Sequence, residues 1–220
     1  MASYEEFDHE MALDRRILVI GDEKIPVSAS ILSTHTKYFN MLFMQGFKER
    51  DSLEVPIEMV PGMDAEAVRT FVRHCYPKHA PINASTYKRL LSAGDFFNAP
   101  FLLQEVEKYI ISHCNPSSWN SYNQAAAKLH KENADIVDGA NGDGKKKDKS
   151  LPFQITLLTG IELAFTYPLK ELKNHVEAMV LRYRFHTFLK LFPDCLMMDA
   201  QITDWIFRVY AKHIIAEQKA

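Results

Sequence analysis

Two His-Cys pairs, His74-Cys75 and His113-Cys114, carry side chains of the type that bind zinc. A closed tetrahedral site draws its ligands from short, fixed spacings, whereas these pairs stand 39 residues apart. Cys75 also falls in phase with Val68, Phe71 and Val72 on one helix face. The sequence therefore favours core cysteines beside solvated histidines over a metal centre. Serine, histidine and aspartate are all present, but no G-x-S-x-G elbow presents a nucleophile. No G-x-x-x-x-G-K-[ST] loop is present to cradle a phosphate. The run "GKKKDK" (144–149) has the charge for a phosphate contact or for nuclear import. Asp135, Asp138, Asp143 and Asp148 offset it, which favours a solvated loop. No catalytic constellation emerges, so the chain reads as a non-enzyme with no cofactor and no metal.

Its 220 residues allow one large domain or two small ones, and 47% hydrophobic content is ample for a core. A formal net charge of −2 gives no reason to expect nucleic acid or an anionic membrane as partner. Three widely spaced cysteines with no C-x-x-C pair suit a reducing compartment. No apolar run is long enough to span a bilayer. The acidic opening "MASYEEFDHE" lacks the basic and apolar regions of a secretory signal. The expected location is the cytosol or the nucleus.

The elements follow from periodicity. Tyr4, Phe7 and Met11 recur at helical spacing among Glu5, Glu6, Asp8 and Glu10, which predicts a short amphipathic helix. Residues 17–20 and 25–27 read as a hairpin around Gly21-Asp22. Residues 31–44 read as one helix with Ile31, Leu32, Tyr38, Phe39, Leu42 and Phe43 on its apolar face. Residues 53–59 alternate as a strand in which Pro56 marks an edge. Three helices follow. Asp64 caps the first, Asn83 or Ser85 the second, and Pro100 opens the third, which carries Leu102, Leu103, Val106, Tyr109 and Ile110. Interleaved strands and helices of this kind predict an α+β fold with helices packed on a small sheet. A helical extension is expected over 116–134 and a flexible linker over 135–150. The stretch 151–220 reads as helical. Leu157, Leu158, Ile161 and Phe165 face inward in its first helix, and Pro168 starts the next. Asp199 caps a last helix with Ile202, Ile206, Val209, Tyr210 and Ile214 inward. Trp119, Tyr122 and Trp205 have the chemistry of interface aromatics, although Trp205 reads more simply as an anchor between helices.

The stretch "IPVSASILSTHTKYFNMLFMQGFKE" (25–49) resembles the signature of the BTB (POZ) domain. Val27, Leu32, Tyr38, Phe39, Leu42, Phe43, Phe47 and Glu49 stand at the matching places, and Asp14, Cys75-Tyr76 and "LLSAGDF" extend the likeness to about residue 113. The resemblance is to the BTB half of MATH–BTB proteins, without a MATH domain. It implies a BTB/POZ domain over 1–115 that pairs with itself and docks other proteins. The helices beyond residue 151 faintly resemble the BACK-type region that follows many BTB domains.

What the resemblance implies for single residues is specific. In cullin-3-binding members an apolar-x-Glu loop inserts its apolar residue into the cullin, which assigns Phe47 and Glu49 to that contact, with Tyr76 beside them. The alternative is a Phe47 folded back on its own helix. The same resemblance assigns Tyr4, Phe7, Met11, Ile31 and Leu32 to the dimer interface, against the alternative of a frayed tail. The family's His after the second strand is Ser28 here and the neighbouring base is Ala29, so the co-repressor groove of transcription-factor members is not carried over. Two functions follow as expectations. One is a homodimeric substrate adaptor of a cullin-3 RING ubiquitin ligase, whose C-terminal helices bind an unidentified protein. The other is a scaffold subunit of a nuclear or cytosolic complex.

Overall fold

The computed structural model describes residues 14–45, 52–58, 63–76, 81–114 and 155–217. The chain forms two compact units, residues 1–109 and 110–220. Among the described residues no helix is long and apolar enough to cross a membrane.

The first unit is built on a three-stranded sheet. Strands β1 (Arg15–Ile20) and β2 (Glu23–Ser28) pair antiparallel, and β3 (Glu54–Pro56) lies parallel to β1 on its other side. Gly21 opens the two-residue turn at φ 58°, a left-handed value that a side chain at this position would strain. Alternation sends Leu18, Ile20, Ile25, Val27 and Val55 into the core. Pro26 and Pro56 both sit on edge strands, where a missing ladder donor is tolerated.

The single helix expected over 31–44 is two. Helix α1 (Ala29–His35) ends and α2 (Lys37–Met44) begins at Thr36, which is extended at φ −137°, ψ 145°. One buried hydroxyl serves both ends. Thr36 Oγ1 donates to the carbonyl of Leu32 (3.2 Å) and accepts from the amide of Phe39 (3.0 Å). The first amides of α2, those of Lys37 and Tyr38, donate to the carbonyls of Asn98 and Phe97. Those carbonyls belong to the turn between α4 (Tyr87–Phe96) and α5 (Pro100–His113), where Asn98 adopts φ 49°. Asp64 caps α3 (Ala65–Cys75) as expected, accepting from Ala67 at 2.7 Å. Asn83 caps the turn before α4, its Oδ1 accepting from the amides of Ser85 and Thr86. Phe39, Phe71 and Phe97 are each fully buried, with Phe97 4.8 Å from Phe39 and 4.9 Å from Phe71.

The second unit is helical. It contains α6 (Leu157–Thr166), α7 (Lys170–Val180), α8 (Phe185–Leu191), a 3₁₀ turn (Pro193–Met197) and α9 (Ala200–Glu217). Thr156 caps α6 through the amide of Thr159, and Asp199 accepts from Gln201 at the start of α9. Trp205 meets Phe165 edge to face at 5.2 Å and so anchors α9 on α6. Tyr210 donates to the carbonyl of Val180 at 2.7 Å. Ile214, expected inward, is 50% exposed. The apolar pattern of α9 runs two turns past the helices that cover it. Residues 116–134 and 135–150, read as a helical extension and a linker, lie outside the described residues, as do Trp119 and Tyr122.

Gly160 lets α6 approach its neighbours closely. A Cβ there would stand 2.8 Å from Cys114 Sγ and 3.3 Å from Val176 Cγ1, and both of those residues are fully buried. Gly160→Ala is expected to destabilise the second unit by about 1–2 kcal/mol. Overpacking of about 1–3 kcal/mol outweighs a gain of up to about 1 kcal/mol in helix propensity. A urea melt checks this, and an unchanged or raised midpoint would show that the close approach is relaxed.

Candidate protein-interaction site

The residues assigned to partner contacts divide sharply. Tyr4, Phe7 and Met11 lie outside the described residues, as do Phe47 and Glu49. The other three can be placed.

Tyr76 is a core residue. It follows α3, is 3% exposed, and its hydroxyl accepts the buried backbone N–H of Ser28 at 2.8 Å. It therefore offers a partner little surface. Its work is to satisfy an amide at the β2–α1 junction that the sheet leaves without a ladder partner. Leu32, assigned to the dimer interface, is likewise fully buried in its own subunit. The phase of α1 that turns Leu32 inward leaves Ile31 half-buried and accessible.

The same junction holds a polar cluster. Asp14 Oδ2 accepts from the amide of Ser30 (2.6 Å) and the hydroxyl of Ser28 (2.9 Å), and Ser28 Oγ accepts the amide of Ile31 as the cap of α1. Burial alone raises the Asp14 pKa. The hydrogen bonds from Ser30 and Ser28 outweigh it and hold the carboxyl below its ordinary value. A depressed carboxylate stabilises the fold at neutral pH, and that contribution is lost as pH falls through the folded value. Asp14 thus pins the start of β1 to the start of α1.

Tyr76→Phe isolates the hydroxyl. It keeps the ring and strands the Ser28 amide in the core, and the expected loss is about 1–3 kcal/mol. Thermal or urea unfolding reads it out, and a change below about 0.5 kcal/mol would indicate that the amide finds another acceptor.

Surface apolar groups appear that periodicity did not single out. Met41 and Met44 share one face of α2 and are 48% and 54% exposed. They lie where the chain enters the 46–51 segment, and Leu53, where it returns to β3, is 57% exposed. Methionine packs adaptably at protein surfaces.

A cavity of about 330 Å³ opens between α1, α3 and α5, lined in part by His35, Phe71, His74, Phe101 and Glu105. His74 is not solvated, contrary to expectation. It is buried, and its Nε2 lies 3.0 Å from Glu105 Oε2. The cysteines are core groups as expected. Burial pushes the Cys75 and Cys114 thiols up to about 12, so neither is a thiolate nucleophile near neutral pH. His175 Nε2 donates to the carbonyl of Cys114 at 2.8 Å. Among the described residues no group of three His, Cys, Asp or Glu side chains could hold a metal ion.

Comparison with known proteins places this architecture. "BTB and MATH domain-containing protein 38" of Caenorhabditis elegans is 29% identical over 94 residues, which is 43% of this chain and 24% of that protein. Human "Kelch repeat and BTB domain-containing protein 2" is 25% identical over 99 residues, 45% of this chain and 15% of that protein. The chain thus aligns with no more than about a third of the length of the curated relatives it matches first. Among solved structures, the BTB domain of human gigaxonin aligns with 48% of this chain and 82% of that one, at 17% identity and a TM-score of 0.38. The family model of the BTB/POZ domain, a protein-interaction domain, matches residues 5–114, half of the chain. This chain belongs to the BTB/POZ domain family.

Proposed function

We propose that this protein is a homodimeric BTB adaptor that binds cullin-3 through Phe47 and Glu49 and a further protein through its C-terminal helices. The observation that carries this reading is the Phe47-Lys48-Glu49 sequence in the connection from α2 to β3 of a BTB domain. Exposed Met41 and Met44 support it by adding apolar area beside that connection. In such a contact Phe47 anchors by burial and Glu49 orients at the rim. BTB domains commonly pair with themselves, and the proposed interface here is Tyr4, Phe7, Met11 and Ile31. Three free, buried cysteines suit the cytosol or the nucleus.

A second reading is a scaffold subunit that joins a complex and transfers no ubiquitin. Burial of Tyr76, one of three residues assigned to the cullin contact, favours it. Both readings need a dimer. Light scattering at micromolar concentration is expected to give twice the 25.3 kDa chain mass. A monomer throughout that range would remove pairing from both.

A further inference from the structure

The stretch "RYRFHTFLK" (182–190) interleaves bases with aromatic rings. The rings turn inward. Phe188 and Phe192 are buried, Tyr183 meets Phe192 edge to face at 5.8 Å, and Phe185 packs on Phe207 and Tyr210 of α9. The bases are left outside, and Arg182, Arg184, His186 and Lys190 are all exposed. His186 and Lys190 lie one turn apart on α8, on the face away from Phe188. Arg182 and Arg184 precede them in the turn from α7. No acid occurs from 178 to 193. Among the described residues none of these four bases forms an ion pair. Elsewhere in the unit the signs are mixed. Lys170 and Lys173 flank Glu171, and Arg208 pairs with Asp204, Nε to Oδ2 at 2.7 Å. Like charges held side by side repel, and a surface kept only for solubility intersperses both signs.

We propose that this basic surface, Arg182, Arg184 and Lys190 with His186 between them, docks an acidic segment of a partner protein. Arginine clusters recognise acidic motifs because the planar guanidinium forks onto a carboxylate. The inference rests on the reading of the C-terminal helices as the partner-binding half, and it supplies the partner's chemistry. Charge and packing select among occupants. A two-fold pairing of this surface with a second copy would set bases against bases. Single-stranded nucleic acid is held on exposed aromatic platforms, and the rings of this stretch are used inside the unit. An anionic lipid surface would also meet the 3₁₀ turn after α8, where Leu191, Leu196 and Met197 are 54%, 52% and 87% exposed. Asp194 and Asp199 stand exposed among those residues, and anionic headgroups would repel them. A run of carboxylates on a partner meets the bases without that conflict.

The probe is a labelled synthetic peptide with a run of glutamates between Gly-Ser flanks, beside a counterpart with glutamine for glutamate. Fluorescence anisotropy with the full chain is expected to show saturable binding of the Glu peptide, with a dissociation constant of about 10–100 µM at low salt that weakens as salt is raised. The Gln peptide should bind at least about tenfold more weakly. Arg182→Glu and Arg184→Glu should each weaken the Glu peptide at least about fivefold with the melting temperature unchanged, because both side chains are exposed. Lys170→Glu makes the same charge change at an exposed base that starts α7, and it should alter binding by less than about twofold. Equal binding of the two peptides, no saturation by about 1 mM, or equal effects of Arg184→Glu and Lys170→Glu overturn the proposal. So does tighter binding at this surface, judged by the same variants, of phosphatidylserine-containing vesicles or of a single-stranded RNA oligomer. A chain that pairs and binds cullin but ignores the Glu peptide overturns this inference alone. A chain that binds the peptide through Arg182 and Arg184 but does not bind cullin leaves it standing.

Discussion

Replacing Phe97 with alanine is expected to lower the stability of the first unit by about 3–5 kcal/mol, the range for an aromatic ring removed from a packed core. Phe97 is fully buried, and its ring lies within 5.5 Å of the rings of Phe39, Phe71, Phe96 and Tyr38. Its carbonyl also accepts the amide of Tyr38. The ring thus joins α2, α3 and the α4–α5 turn, and no single neighbour can move to fill the space. Domains are stable by only about 5–15 kcal/mol, so the variant should be largely unfolded on mild heating. Phe101→Ala is the control. That side chain is 72% exposed, and its loss should change stability by less than about 0.5 kcal/mol. Urea melts of both variants decide the matter, and comparable losses would contradict this account of the core.

Phe47→Ala should weaken binding of an N-terminal cullin-3 fragment by roughly ten- to a hundredfold. The estimate is the burial of one aromatic side chain, about 1.5–3 kcal/mol. Glu49→Ala should weaken it less, because a rim charge is screened and contributes about 0–1 kcal/mol. Neither should change the dimer. A large fall in melting temperature for Phe47→Ala would make Phe47 a core residue and remove it from the contact.

Local chemistry made much of the first unit legible. Gly21-Asp22 between two apolar runs can only be a tight turn, and Asp64 ahead of Val68, Phe71 and Cys75 marks a capped helix. The break at Thr36 was hidden because the apolar residues on either side of it remain buried at near-helical spacing. A threonine before a run of aromatics was the available signal. Helix α8 and the 3₁₀ turn escaped because each buries a single residue, Phe188 or Cys195, which leaves no periodicity to read. The role of Tyr76 is set by an amide 48 residues away, and the ring of His74 pairs with a carboxylate 31 residues away. Pairings of that range leave no local trace. Ile214 shows the reverse. Its spacing is that of a core residue, but covering it takes a neighbour that the unit does not supply.

The most direct test is a calorimetric titration of the folded wild-type chain with an N-terminal cullin-3 fragment. The adaptor reading predicts saturable binding, one fragment per chain, with a dissociation constant of about 1 µM or tighter. No binding at about 100 µM fragment by a folded dimer would contradict it and leave the scaffold reading in its place.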